Sequence, residues 1–291
     1  MKSKLFDIFN VVVVAIVSIL SLLPLLLVLV VSFTEERAIK ANGYSFFPEG
    51  VTLEAYRMLF GENSLLLQSY LVSIAVTVVG TALAVAITGM AGYTLSANHI
   101  RYRNALALFF FVTMVFNAGL VPWYMVSTGL GLRNNLWALI VPSLLFNPFN
   151  LFLVRNYMKQ IPDSLIEAAR IDGANDLFIA FRIFFPLSLP VMATITLFYG
   201  IGYWNNWFNA IMLVDDQKLY PLQYLLFKLN SEMNMISQMQ SISGSAMSAE
   251  LLPTESVKMA TAILTIGPIV FFYPFLQKYF IRGLLIGSVK E

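Results

Sequence analysis

Between positions 161 and 178 the chain runs Ile161-Pro162-Asp163-Ser164-Leu165-Ile166-Glu167-Ala168-Ala169-Arg170-Ile171-Asp172-Gly173-Ala174-Asn175-Asp176-Leu177-Phe178. Asp163, Glu167, Asp172 and Asp176 make an acidic face relieved by Arg170, beside the small residues Ala168, Ala169 and Gly173. Small side chains let another protein's backbone come close, so the chemistry on offer is docking rather than bond-making. Bond-making has few candidates elsewhere. Cysteine is absent, which removes disulfides, thiolate nucleophiles and cysteine-type zinc sites. The single histidine, His99, reads as a solvated loop residue and leaves little for a metal site or a His-based triad. No G-x-x-x-x-G-K-[ST], H-E-x-x-H or G-x-S-x-G occurs. No catalytic or metal-binding residue is expected, and the chain does not itself cradle nucleotide phosphates.

The docking segment has its own start and stop signals. Pro162 and Ser164 mark a helix start, and Ser164 with Glu167 matches the S-x-x-E capping box. Gly173 stands where a helix would end in the left-handed conformation. Asn175 can cap a second short helix, in which Leu177, Phe178, Phe181 and Phe184 recur at helical spacing. The segment, about 160–182, therefore predicts a rigid helix–turn–helix, able to pass a push from a soluble motor.

What holds this knob is apolar. The chain of 291 residues is 58% hydrophobic and 12% charged, where a soluble domain carries about a quarter charged residues. Its mean hydropathy is +0.76, and the excess apolar surface needs lipid to cover it. A net charge of +2 with no long basic run indicates no nucleic-acid partner. Six stretches are long enough to cross the bilayer as helix: about 9–33, 68–97, 104–127, 136–155, 185–209 and 259–281. The first is too long for a signal peptide and reads as a retained span. Gly80, Gly89 and Gly92 in the second suggest close helix–helix contact.

Lys and Arg are denser in the segments about 1–8, 98–103, 156–184 and 282–291, which places both termini and the knob inside. The fold class expected is thus an all-α membrane protein, six transmembrane helices, N-in and C-in, one domain over 1–291. Two long outer loops remain. The first, about 34–67, contains a short amphipathic helix near Leu53–Phe60. The other, about 210–258, ends in a run of small residues from Ser241 to Ala249.

Here the residues carry a family resemblance. Glu167-Ala168-Ala169, three residues, Gly173, nine residues and Ile183-Phe184-Phe185-Pro186 resemble the E-A-A-x3-G-x9-I-x-L-P loop of binding-protein-dependent ABC importer permeases. Only the Leu departs, replaced by Phe185, which is still apolar. The resemblance implies a bacterial cytoplasmic-membrane subunit working with a homologous second permease, two ATPase subunits and an extracytoplasmic solute-binding protein. It implies that ATP and Mg sit on the ATPase subunits, this chain binding no cofactor. Glu167, Ala168, Ala169, Arg170, Asp172, Gly173, Ala174 and Asp176 would then be the ATPase-coupling residues.

Asp172-Gly173-Ala174 is similar to the carbohydrate-uptake branch. Phe46-Phe47-Pro48 with Ala55-Tyr56, and the tail from Arg282 to Lys290, resemble sugar permeases of the MalG type. Asn117 to Tyr124, Gly129 to Leu132 and Tyr203 to Trp207 resemble oligosaccharide and polysaccharide permeases of the LplC/YtcP type, alginate systems among them. A maltose-like or glycerol-phosphate-type solute is the alternative within the family. An ion-coupled carrier is the alternative outside it, and the spans hold almost none of the ionisable groups such carriers need. A sugar path needs aromatic faces and amide or hydroxyl groups. Asn117, Asn147, Asn150, Tyr199, Tyr203 and Asn206 supply them inside spans, the last three sharing a helical stripe; packing between spans is the competing role. By analogy with the MalG loop, Ser243, Gly244 and Ser245 would reach the binding protein, unless the stretch is only a loose loop.

Overall fold

Away from water an apolar chain can satisfy its backbone groups only in helices or closed barrels. The computed structural model describes residues 2–61, 65–98, 100–142, 145–243, 255–268 and 270, and among these the regular structure is helix, with one isolated antiparallel bridge, Thr34 to Val51. In chain order the helices are α1 (Lys2–Ser32), α2 (Glu36–Asn42), α3 (Glu54–Leu59), α4 (Leu66–Ser96), α5 (Arg103–Val115), α6 (Leu120–Gly129) and α7 (Trp137–Ile140). There follow α8 (Pro148–Met158), α9 (Asp163–Ile171), α10 (Asp176–Ile179), a π-turn over Ala180–Phe184, α11 (Phe185–Leu187) and α12 (Leu189–Trp204). Beyond these lie α13 (Phe208–Leu213), α14 (Leu222–Ser243) and α15 over 255–268. The chain divides into two compact units, Met1–Leu67 with Leu226–Pro268, and Gln68–Leu225 with Ile269–Glu291.

In the first unit, α1 is apolar on every side and its most hydropathic window is unburied. The short helix expected near Leu53–Phe60 is α3, with Ala55 and Leu59 buried beneath it. Tyr56 stacks on Phe33 at 4.9 Å and its hydroxyl meets the Ser32 hydroxyl at 2.9 Å, which fixes α3 against the end of α1.

The second unit is built around α4. Its small residues admit neighbours to backbone distance. A Cβ on Gly80 would lie 2.5 Å from the Tyr203 ring, and one on Gly92 would lie 2.5 Å from Val154. Around these contacts Val76, Ala84, Leu139, Val154, Ile195 and Tyr203 form the buried core.

Two of the six expected spans are uninterrupted helices long enough to cross a membrane, Phe6–Ser32 and Leu66–Ser96. The stretch 104–127 is not one helix. It turns by 118° between α5 and α6, because Gly119 adopts φ 88° and the Asn117 side chain accepts its N–H at 2.9 Å. The stretch 136–155 is also interrupted, between α7 and α8. The Asn147-Pro148 step explains one side of that break, since a residue before proline is driven to extended geometry and Asn147 has φ −125°, ψ 117°. The stretch 185–209 enters through the π-turn and bends by 81° at Ser188, between Pro186 and Pro190, where backbone donors are missing. It stops at Trp204, and α13 follows. Of 259–281, residues 259–268 are helical as part of α15, and the rest lies outside the described residues except position 270.

Candidate coupling and translocation site

The helix–turn–helix is present as α9 and α10. Its start differs from the capping-box expectation. Pro162, extended at φ −60° and ψ 134°, is the residue before the helix, so Ser164 falls inside the first turn and no side-chain cap forms. Asp163 takes the first helical position, where negative charge suits the helix dipole, and accepts from the Asn98 amide at 2.8 Å. That bond ties α9 to the end of α4.

The turn behaves as its residues dictate. Gly173 has φ 81°, its N–H donates to the Arg170 carbonyl at 3.0 Å, and the Ala174 N–H donates to the Ala169 carbonyl at 2.9 Å. Together these make a Schellman stop. Asn175 then caps α10, accepting from the Phe178 N–H at 2.8 Å. Arg170 pairs with Asp176 at 3.0 Å across the turn. The pair is exposed and worth less than about 1 kcal/mol, so rigidity comes from the caps.

Ile166, Ala169 and Ala174 pack on the core, whereas Glu167, Ala168, Arg170, Asp172, Gly173 and Asp176 face outward. Ile171 is 87% exposed, and Leu165, Leu177 and Phe178 are exposed with it. Together they make an exposed apolar patch beside charged groups. The sequence reading had not singled out Ile171 and Leu165. Their signal was apolar positions lying off the stripe that packs inward.

The second set of residues gathers at the break between α7 and α8. Tyr199, 3% exposed, shares a 2.7 Å hydrogen bond with the Thr88 hydroxyl and accepts the Asn147 N–H at 3.1 Å. The Tyr203 hydroxyl donates to the Ile140 carbonyl at 3.0 Å. Asn206 donates to the Leu139 carbonyl at 3.4 Å, and Asn209 to the Pro142 carbonyl at 2.9 Å. All four of these backbone groups lie at or beside the break. In an apolar setting each orphaned group costs several kcal/mol, so Tyr199 and Tyr203 on α12, Asn209 on α13 and Asn206 in the link between them, not on one continuous helical stripe, support the interruption.

Of the path candidates, Asn147, Tyr199, Tyr203 and Asn206 therefore come together. Asn147 also caps α8 by accepting from the Phe149 and Asn150 N–H groups at 2.8 and 3.4 Å, and Asn150 is buried. Asn117 is exposed at the other break, in its local turn with Gly119. The sequence reading had missed Thr88 and Asn209. Asn209 had a signal, three residues after Asn206 in an apolar segment.

The remaining candidates are less described. Ser243 ends α14, while Gly244 and Ser245 lie outside the described residues, as do His99 and the tail 282–290. The first unit holds a different constellation that the sequence reading did not mention. The buried Glu36 carboxylate accepts from the Glu255 N–H at 3.1 Å, the Ser256 N–H at 3.0 Å and the Ser256 hydroxyl at 3.1 Å. It caps the start of α15 from a distant part of the chain. Beside it Glu255 accepts from Tyr44 at 2.7 Å and Lys258 at 2.9 Å. The hydrogen bond to Glu255, with partial burial, pushes the Tyr44 hydroxyl up to about 12. Burial works to raise the Glu255 carboxyl, but the bonds from Lys258 and Tyr44 and the charges of Lys258 and Lys40 outweigh it and hold it below the usual range.

Comparison with known proteins places this geometry in context. Residues 95–286 match the family described as binding-protein-dependent transport system inner membrane component. The chain is 39% identical to Protein LplC of Bacillus subtilis (strain 168), over 89% of this chain and 86% of that one. It is 37% identical to the polygalacturonan/rhamnogalacturonan transport system permease protein YtcP of the same organism, over the full length of both. Among solved structures it is similar to a chain of a bacterial ABC transporter involved in the import of the acidic polysaccharide alginate. That match has a TM-score of 0.82 and 32% identity, and covers 96% of this chain and 98% of that one.

Proposed function

This chain belongs to the binding-protein-dependent transport system inner membrane components, and from that premise we propose that it passes oligosaccharides or acidic polysaccharide fragments inward. It is a membrane-embedded transport subunit, with hydrolysis of ATP left to partner chains. The observation that carries the reading is the capped helix pair α9–α10, inside the matched region 95–286 and presenting Glu167 to Asp176 outward. Full-length similarity to the polygalacturonan/rhamnogalacturonan permease supports a glycan as the solute, and the likeness to the alginate importer supports an acidic one.

The assembly we infer has a homologous second permease, two ATPase subunits carrying ATP and Mg, and an extracytoplasmic solute-binding protein. The chain crosses the membrane six times with both termini inside, the bent pair α5–α6 counting as one crossing and α11–α12, bent at Ser188, as another. ATPase closure drags the α9–α10 knob and rocks the spans between inward and outward states. The solute path runs beside the interrupted spans, where Asn117, Asn147 and Asn150 stand, with Tyr199, Tyr203 and Asn206 holding the unwound backbone in place. Broken helices are where membrane transporters expose polar groups to cargo. Ser243, Gly244 and Ser245 are assigned to contact with the binding protein.

The test is uptake by proteoliposomes holding the assembled transporter and its binding protein, with an oligogalacturonate or an oligoalginate as solute. Uptake should vanish without ATP and persist with a protonophore. Uptake driven by a proton gradient in the absence of ATP would overturn the assignment.

A further inference from the structure

The ends of three helices meet beside the coupling knob. They are the last turn of α4, the first of α5 and the last of α8. The Arg155 guanidinium donates to the Leu95 carbonyl at 3.3 Å, and Arg103 is hydrogen-bonded to the Asn98 side chain. Lys159 follows α8 directly, and Arg101 precedes α5. Partial burial and the charges of Arg155 and Arg103 hold the Lys159 ammonium below its usual value, so these cations are close enough to repel. Among the described residues none of Arg101, Arg103, Arg155 and Lys159 forms an ion pair. A cavity of about 350 Å³ opens beside Lys159, lined also by Ser96, Asn98, Gln160 and Asp163, with Arg101, Arg103 and Arg155 outside its lining. Its carboxylate, Asp163, is already hydrogen-bonded to Asn98.

Next along α5 the surface changes character. Leu95, Ala107 and Leu151 form a small buried cluster with Phe110, Phe146 and Phe152 against it. Outside that cluster Leu106, Leu108 and Phe109 are exposed. The Arg155 guanidinium carbon lies 5.8 Å from the Phe152 ring centroid, so the charge itself stands over the end of the apolar wall. Cations without an ion pair among the described residues, at the end of an exposed apolar wall, match the polarity of an anionic phospholipid.

We propose that Arg101, Arg103 and Lys159, backed by Arg155, bind the phosphate of an anionic phospholipid of the leaflet beside the coupling knob, with its acyl chains along α5. The site rests on membrane residence and on nothing about the transported solute. It places a lipid headgroup within one side chain of Asn98, the residue that holds Asp163 at the start of α9.

Native mass spectrometry of the assembled transporter, released from nanodiscs of equal parts phosphatidylglycerol and phosphatidylcholine, tests the site. Wild-type protein should retain phosphatidylglycerol in preference. Each cation near a membrane surface contributes about a fivefold factor in affinity. The double variant Arg103→Gln with Lys159→Gln should therefore lose roughly 25-fold of that preference. The charge-preserving pair Arg103→Lys with Lys159→Arg should keep it, which separates charge from folding. Equal retention of both lipids by the wild type would overturn the proposal, as would an unchanged preference in the charge-removing pair. Displacement of the lipid by inorganic phosphate would reassign the site to a soluble anion and also overturn it. If lipid binds only when the ATPase subunits are absent, the cations belong to a protein interface and the proposal fails.

Discussion

At Gly173 nothing lies within 4 Å of where a Cβ would stand, and φ is +81°. Any penalty for a side chain is therefore backbone strain rather than collision. An L-residue forced left-handed costs about 1–2 kcal/mol, and Asn tolerates that region better than a β-branched residue. We expect Gly173→Val to lower solute moved per ATP hydrolysed several-fold and to weaken recovery of the ATPase with the permease, while Gly173→Asn retains most of both. Equal coupling in the two variants would remove the turn from the mechanism. Gly173 and Asn175 were legible in the sequence because each acts on backbone within three residues of itself. Ser164 misled for the same local reason. The dihedrals of Pro162 set the boundary, and the serine pattern had no means of showing them. Glu36 was invisible, since the N–H groups it caps lie 219 and 220 positions away.

Whole elements follow a similar division. Hydropathy located the apolar stretches, and Gly80 and Gly92 marked helix contacts that the structure contains, against Tyr203 and Val154. Averaging over a span cannot register an interruption inside it. The breaks near 117 and 147 were foreshadowed by Gly119 and Pro148 and by asparagines that had been read as polar lining. In the structure Asn117 turns the chain, Asn147 caps α8, and the α12 stripe satisfies the exposed backbone. Tyr199→Phe should expose this arrangement. Removing one hydroxyl leaves both Thr88 and the Asn147 N–H short of a partner in buried surroundings, a loss of about 1–3 kcal/mol. Thermal unfolding in detergent should drop accordingly, with wild-type levels of ATPase recovered alongside. An unchanged midpoint would mean the break is held by other means.

For the molecule as a whole, the composition and one spaced motif sufficed to place the chain in its family, because lipid exposure and partner docking are written in residue type. The helix α1 shows why the rest needs neighbours. It is apolar on all sides and no part of its central window is buried. The carboxylate of Glu36 is the opposite case, a polar group sealed within one unit. Glu36→Gln removes the negative charge that faces three donors and pairs with Lys40, so we expect loss of about 1–3 kcal/mol and earlier proteolysis near α15, read by limited digestion of the assembled transporter. An unaltered digestion pattern would mean α15 keeps its start without the anion.

That carboxylate also ties assembly to time. A ribosome adding about 5–20 residues per second needs roughly ten to forty seconds to travel from Glu36 to the amides that shelter it. During that interval the carboxylate has water and Lys40, one turn further along α2 at 4.0 Å, to offset its charge. Its backbone and hydroxyl donors arrive with α15, so a chain halted before residue 255 leaves Glu36 without them.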